Sequence, residues 1–71
     1  MEEQDNLSKF GAKVKNIRES LNLTQAQLAE LCGLSTNYIG MIERGERNLK
    51  LSKVFKIACS LKVSMSDLFI E

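Results

Sequence analysis

The side chains able to do chemistry in this 71-residue chain are cationic and hydrogen-bonding ones. His is absent, which removes the commonest general base and the commonest metal ligand together. The two cysteines, Cys32 and Cys59, lie far apart with no CxxC pair, so neither a zinc site nor a disulfide framework is indicated. Each reads as a small packing residue, with a redox-sensitive thiol as the alternative. No Gly-rich phosphate loop is present. The expectation is a binding module, not an enzyme, with no metal, no cofactor and no small-molecule ligand.

Charge is the remaining chemistry, and its distribution matters more than its total of +1. Three of the nine acids, Glu2, Glu3 and Asp5, stand at the start, and Asp67 and Glu71 at the end. Residues 6–66 hold all ten Lys and Arg against Glu19, Glu30, Glu43 and Glu46, a net of +6. The densest stretch runs from Arg44 through Arg47, Lys50 and Lys53 to Lys56, with Glu46 its one acid. A basic middle between acidic ends fits a polyanion-binding surface; a plain solvated helix face is the alternative.

Something must position these groups, and the chain is long enough for one domain at most, since domains mostly run ~100–150 residues. With 44% hydrophobic and 27% charged residues, four Gly and no Pro, it is globular in composition. No apolar run approaches the ~18–20 residues of a membrane span, and MEEQDN lacks the pattern of a secretory signal. A cytoplasmic protein without a membrane partner is expected.

The apolar spacing is helical throughout. Leu7, Phe10, Val14, Ile17 and Leu21 step by three and four along a first helix, with Asp5 or Asn6 as cap and residues 1–6 as an acidic flexible tail. Thr24 to Gln27 fits a capping box opening a second helix with Leu28, Ala29, Leu31 and Cys32 on its apolar side, and Gly33 ends it. Ser35 caps a third helix, through Glu43, that buries Ile39 and Ile42. A fourth carries Leu51, Val54, Phe55, Ile57, Ala58 and Leu61, and Ser64 opens a short last helix with Leu68, Phe69 and Ile70. No segment alternates as a half-buried strand would. The expected fold is all-α, a compact five-helix domain over 7–71.

The second and third helices are too short to stand alone and must bury their apolar sides against the first and fourth. That leaves one face of the third helix, with Thr36, Asn37, Gly40, Met41 and Arg44, outside the core.

The run LTQAQLAELCGLSTNYIGMIERGERN resembles the helix-turn-helix of lambda-repressor-like (Cro-like, XRE-type) DNA-binding proteins. The likeness extends from about Phe10 to Phe69, with IRES-LNLTQ before the motif and KIACSLKVSMSDLF after it. Stand-alone members of this size include phage-type repressors and the controllers of restriction–modification operons, and YIGMIERGERN without a following Pro is similar to the controllers.

The resemblance implies a helix-turn-helix at about 24–43, with the third helix reading the major groove of double-stranded DNA. Thr36 and Asn37 would meet base edges, since an Asn amide matches adenine N6 and N7 and Thr can donate, accept or touch a thymine methyl. Met41 would pack on thymine methyls, and Gly40 would let the helix approach closely. Gln25, Ser35, Tyr38, Arg44, Arg47, Asn48, Lys50 and Lys53 would hold the DNA backbone, which positions without specifying sequence. Tyr38 as a core residue and Met41 as a surface or interface plug are the plainer alternatives. The family also implies a partly buried ion pair between Arg18 and Glu43. Four positions depart from the family pattern: Leu49-Lys50 replaces a Pro and cap, Lys62 a helix-ending Gly, and Asn22 another frequent Gly.

One recognition helix reads about four to six base pairs, so a homodimer on a palindrome, with half-sites about 34 Å apart, is expected. Its interface is assigned to the segment 51–71, chiefly Val63, Met65, Leu68, Phe69 and Ile70, which is more apolar than so small a core absorbs; closing the monomer core is the alternative use. RNA polymerase is a further candidate partner, either activation or repression being open. The rival from another class is a protein-interaction module, such as an antitoxin that grips a toxin.

Overall fold

The computed structural model describes residues 2–46 and 50–64, with side chains from Leu7 onward except Leu51. Four helices lie in this range: α1 (Glu2–Ser20), α2 (Gln25–Cys32), α3 (Thr36–Glu43) and α4 (Leu51–Leu61). The expected fifth helix falls on residues 65–71, outside the described residues. Those described include no strand, so the fold is all-helical as expected.

Residues 2–6, expected as a flexible tail, are instead the first turns of α1, and Asp5 and Asn6 lie inside the helix. The apolar stripe begins only at Leu7 and so hid this start. Acidic residue types suit a first turn, where the helix dipole presents its positive end.

Helix α1 packs on α3, and α2 packs on both α3 and α4. The shared core is Phe10 and Val14 of α1, Leu28, Ala29 and Cys32 of α2, Ile39 and Ile42 of α3, and Val54, Ile57, Ala58 and Leu61 of α4. Ile17, Leu34, Tyr38 and Val63 pack around its edge. Three apolar residues depart from expectation. Leu21 lies past the last turn of α1 and is exposed, because the stripe continues in sequence after the helix has ended. Leu31 is exposed because eight residues of α2 present a face built on Leu28, Ala29 and Cys32, spaced by one and four. Phe55 is exposed because Val54, Ile57, Ala58 and Leu61 take the inward face of α4.

The helix ends explain the turns. At α2 the Thr24 hydroxyl accepts from the Gln27 amide at 3.0 Å, and the Gln27 side-chain oxygen accepts from the Thr24 amide at 2.8 Å, a complete capping box. Gly33 closes α2 in the left-handed conformation, φ 71°, while the Leu34 amide reaches back to the Ala29 carbonyl at 2.9 Å. Ser35 then caps α3 by accepting from the Tyr38 amide at 3.0 Å.

Helix α4 starts without such help: Lys50 holds the N-cap position with no side-chain bond. Its other end confirms that Lys62 replaces a glycine at a cost, since Lys62 has φ 62°, left-handed for a residue with a Cβ. Asn22 takes φ 61° more readily, because Asn is tolerated there.

Candidate nucleic-acid interface

The surface of interest is the exposed start of α3 with the elements beside it. Core burial of Ile39 and Ile42 fixes the roll of the helix. That leaves Ser35, Thr36, Asn37 and Arg44 in solvent, with Tyr38 and Met41 half-buried. Thr36 and Asn37 occupy the first turn, so the two most versatile hydrogen-bonding side chains of α3 stand at its projecting end.

Gly40 is not part of an open face. It is buried, and a methyl group there would stand 3.1 Å from Arg44 Nη1 and 3.8 Å from Gln25 Oε1. The missing side chain leaves room for the Arg44 and Gln25 side chains over this point of α3. A bare surface at this point, expected from the sequence, is therefore replaced by one that those two side chains cover.

Arg44 is exposed and its Nε donates to Glu46 Oε2 at 2.8 Å. That bond, with the charge of Glu46, raises the guanidinium pKa. Lys53 of α4 is half-buried and sets its ammonium 5.4 Å from the centre of the Tyr38 ring, a cation–π distance. Tyr38 therefore does two things at once. Its ring edges the core, as the plainer alternative held, and it seats a cation beside α3. Lys50 is exposed at the start of α4. Arg47 and Asn48, and the expected interface residues Met65, Leu68, Phe69 and Ile70, lie outside the described residues; Val63 is half-buried at the end of α4.

Behind this surface lies a polar network. Arg18 Nε donates to Glu43 Oε2 at 2.6 Å and Nη2 donates to Oε1 at 3.1 Å, a bidentate pair whose side chains are 8% and 3% exposed. Arg18 Nη1 donates to the Leu23 carbonyl at 2.7 Å, just before the cap of α2. The hydrogen bond to Glu43 raises the Arg18 pKa against the opposing effect of burial. The ion pair that the resemblance implied is thus present. Gln25 Nε2 also donates to Glu43 Oε1, at 2.9 Å, a contact the sequence reading missed. Its two residues are 18 positions apart, and no local pattern marks it.

The cysteines separate cleanly. Cys32 is buried, and burial pushes its thiol pKa up, while Ser60 and Lys56 work the other way. Cys59 is exposed on α4. No helix among the described residues is long and apolar enough to cross a membrane.

Comparison with known proteins places this geometry. Residues 14–68 match the helix-turn-helix family HTH_3. The control protein C.SmaI of Serratia marcescens is 46% identical over 78% of this chain and 66% of its own length. The control protein C.BamHI of Bacillus amyloliquefaciens is 47% identical over 83% of this chain and 74% of its own length. The crystal structure of the restriction–modification controller protein C.AhdI from Aeromonas hydrophila superposes with a TM-score of 0.88 at 38% identity, covering 92% of this chain and 98% of that one. A capped α2, a left-handed Gly33, an exposed α3 and these relatives lead to one assignment: the chain belongs to the helix-turn-helix family of DNA-binding transcriptional regulators and is homologous to the restriction–modification control proteins.

Proposed function

We propose that the chain is the controller of a restriction–modification operon, a cytoplasmic homodimer that sits on a palindromic operator with α3 of each protomer in the major groove. The observation that carries this reading is the exposed first turn of α3, with Thr36 and Asn37 in solvent, Lys53 set over Tyr38 beside it, and the exposed cations Arg44 and Lys50 on the segments that follow α3, in a chain whose relatives include control proteins. Thr36, Asn37 and Met41 read base edges. Gln25, Ser35, Tyr38, Arg44, Arg47, Asn48, Lys50 and Lys53 hold phosphates and set the register.

The dimer face is assigned to Val63, Met65, Leu68, Phe69 and Ile70 together with α4. Its support is Phe55, 57% exposed on α4, a large apolar group that the monomer core leaves uncovered. Light scattering at tens of micromolar tests this assignment, and a monomer would overturn it. RNA polymerase becomes a partner if regulation includes activation, which transcription in vitro from the protein's own promoter decides.

The test of the whole reading is a gel shift on the DNA upstream of the gene, at two salt concentrations. Specific binding that weakens steeply with salt is expected, because neutralised phosphates release counterions. Weak binding that ignores salt would replace this reading by a protein-interaction module such as an antitoxin.

A further inference from the structure

Glu43 makes one hydrogen bond more than its ion pair requires. Arg18 already meets both carboxylate oxygens, yet Oε1 also accepts from Gln25 Nε2 at 2.9 Å. The chemistry fixes which way the Gln25 amide points, because a carboxylate only accepts and so must face the NH2 group. That group has two hydrogens. One is spent on Glu43. The amide oxygen lies on the Gly40 side, 3.8 Å from where a methyl would stand. Gln25 is also the first residue of α2, where the helix N-terminus favours an anion.

We propose that Glu43 and Arg18 are positioning residues for DNA binding: the buried carboxylate holds the Gln25 amide in place, so that its second N–H meets a backbone phosphate in a fixed orientation. This rests on the DNA-binding reading given above. A Gln side chain is among the more flexible ones, and fixing it before the encounter removes an ordering cost from binding. Arg18 cancels the charge that would otherwise set a bare carboxylate near a phosphate. The same guanidinium ties down Leu23, so the loop that leads into α2 is fixed by the group that fixes Gln25. The ion pair thereby acts on DNA affinity through Gln25 as well as on folding.

The test measures affinity for a mixed-sequence duplex, since a phosphate contact is independent of sequence, and scales each value to the folded fraction from circular dichroism. Gln25→Ala is expected to weaken binding roughly tenfold or more, as for a hydrogen bond to a charged group. The double variant Arg18→Met, Glu43→Leu removes the carboxylate while replacing the buried pair by apolar groups, a change that proteins often tolerate. It is expected to lose about 3- to 10-fold in affinity through freed side-chain ordering. Adding Gln25→Ala to it should take affinity to the level of Gln25→Ala alone and no lower. Losses that multiply, or a folded double variant that binds like the wild type, overturn the proposal.

A wild-type measurement keeps the idea falsifiable if the double variant does not fold. In nuclear magnetic resonance the Gln25 Nε2 proton bonded to Glu43 should stand downfield of the usual side-chain amide position, and duplex should move the other Nε2 proton while this one stays. Return of that proton to the usual position on adding duplex means that Gln25 lets go of Glu43 to reach the phosphate, which overturns positioning and leaves DNA binding intact. A wild-type protein with no affinity for any duplex overturns both readings.

Discussion

Gly11 of α1 and Ile42 of α3 meet backbone to backbone. A methyl group on Gly11 would overlap the Ile42 carbonyl oxygen and stand 2.8 Å from that of Glu43. Helix α1 crosses the end of α3 at this point, next to the turn that carries the Arg18–Glu43 pair. Overpacking a core by a methylene or more costs roughly 1–3 kcal/mol, and the atoms met here are backbone, which cannot turn aside. Gly11→Ala is therefore expected to lie at the upper end of that range or to prevent folding. Thermal unfolding by circular dichroism checks it, and an unchanged midpoint would rule out so close a crossing.

Base reading and backbone grip should separate by substitution. Asn37→Ala is expected to cost roughly 1–3 kcal/mol on the operator and to relax one operator position. Lys50→Ala should weaken operator and random duplex alike and flatten the salt dependence. Titrations of both variants on both duplexes at several salt concentrations show which residue does which. Identical losses on the two duplexes for Asn37→Ala would remove it from base reading.

Arg44 enters binding already paired to Glu46. Replacing Glu46 by Gln frees the guanidinium for a phosphate and removes an acid from the basic stretch. Affinity for random duplex should rise and its salt dependence steepen, with little change in the unfolding midpoint because the pair is exposed. A fall in affinity would assign Glu46 a positive role that repulsion from phosphate does not allow.

Lys62 occupies a left-handed position at φ 62°. Such a backbone costs a residue with a Cβ roughly 1–2 kcal/mol, while Gly adopts it freely. Lys62→Gly is expected to stabilise the protein by about 0.5–1 kcal/mol, the gain being reduced by the larger entropy of an unfolded Gly. Urea unfolding gives the value, and a loss of stability would mean that the Lys62 side chain contributes contacts that outweigh the strain.

The two thiols should behave differently towards reagents and pH. Iodoacetamide is expected to label exposed Cys59 quickly and buried Cys32 only on unfolding. The raised pKa of Cys32 means that the unfolded chain loses this proton first as pH rises. Stability from this thiol is therefore whole below its ordinary pKa and is lost as pH climbs from there through the folded value. Unfolding midpoints should decline on the alkaline side of roughly pH 8.5, and by less in Cys32→Ala. An equal decline in both proteins would exclude Cys32 as a source.

Much of this was readable from the chain because much of it is local. The capping box at Thr24 and Gln27, the left-handed Gly33 and the cap at Ser35 each involve residues within a few positions, where spacing determines geometry. Sequence reasoning failed where burial depends on distant partners. Leu21, Leu31 and Phe55 carry the right residue type for a core, but helix length and roll put them in solvent. Gly11 carries no local signal, since a lone glycine is tolerated inside a helical pattern and only the packing of α1 on α3 gives it a role. The Gln25–Glu43 bond joins two short helices across 18 positions, and only their packing creates it. The Arg18–Glu43 pair was legible solely through family resemblance.

The two glycines Gly11 and Gly33 impose opposite kinds of constraint. Nothing lies within 4 Å of where a methyl on Gly33 would stand, so that turn demands handedness and is indifferent to size. A D-alanine at Gly33 meets the demand, since mirror-image residues prefer positive φ, and it should stiffen the joint between α2 and α3. At Gly11 a methyl in the L position has no room. A chain assembled by chemical ligation with D-alanine at residue 33 would hold the angle of α3 to α2 by chirality alone, and its affinity for DNA would report how far flexibility at that joint is used in docking.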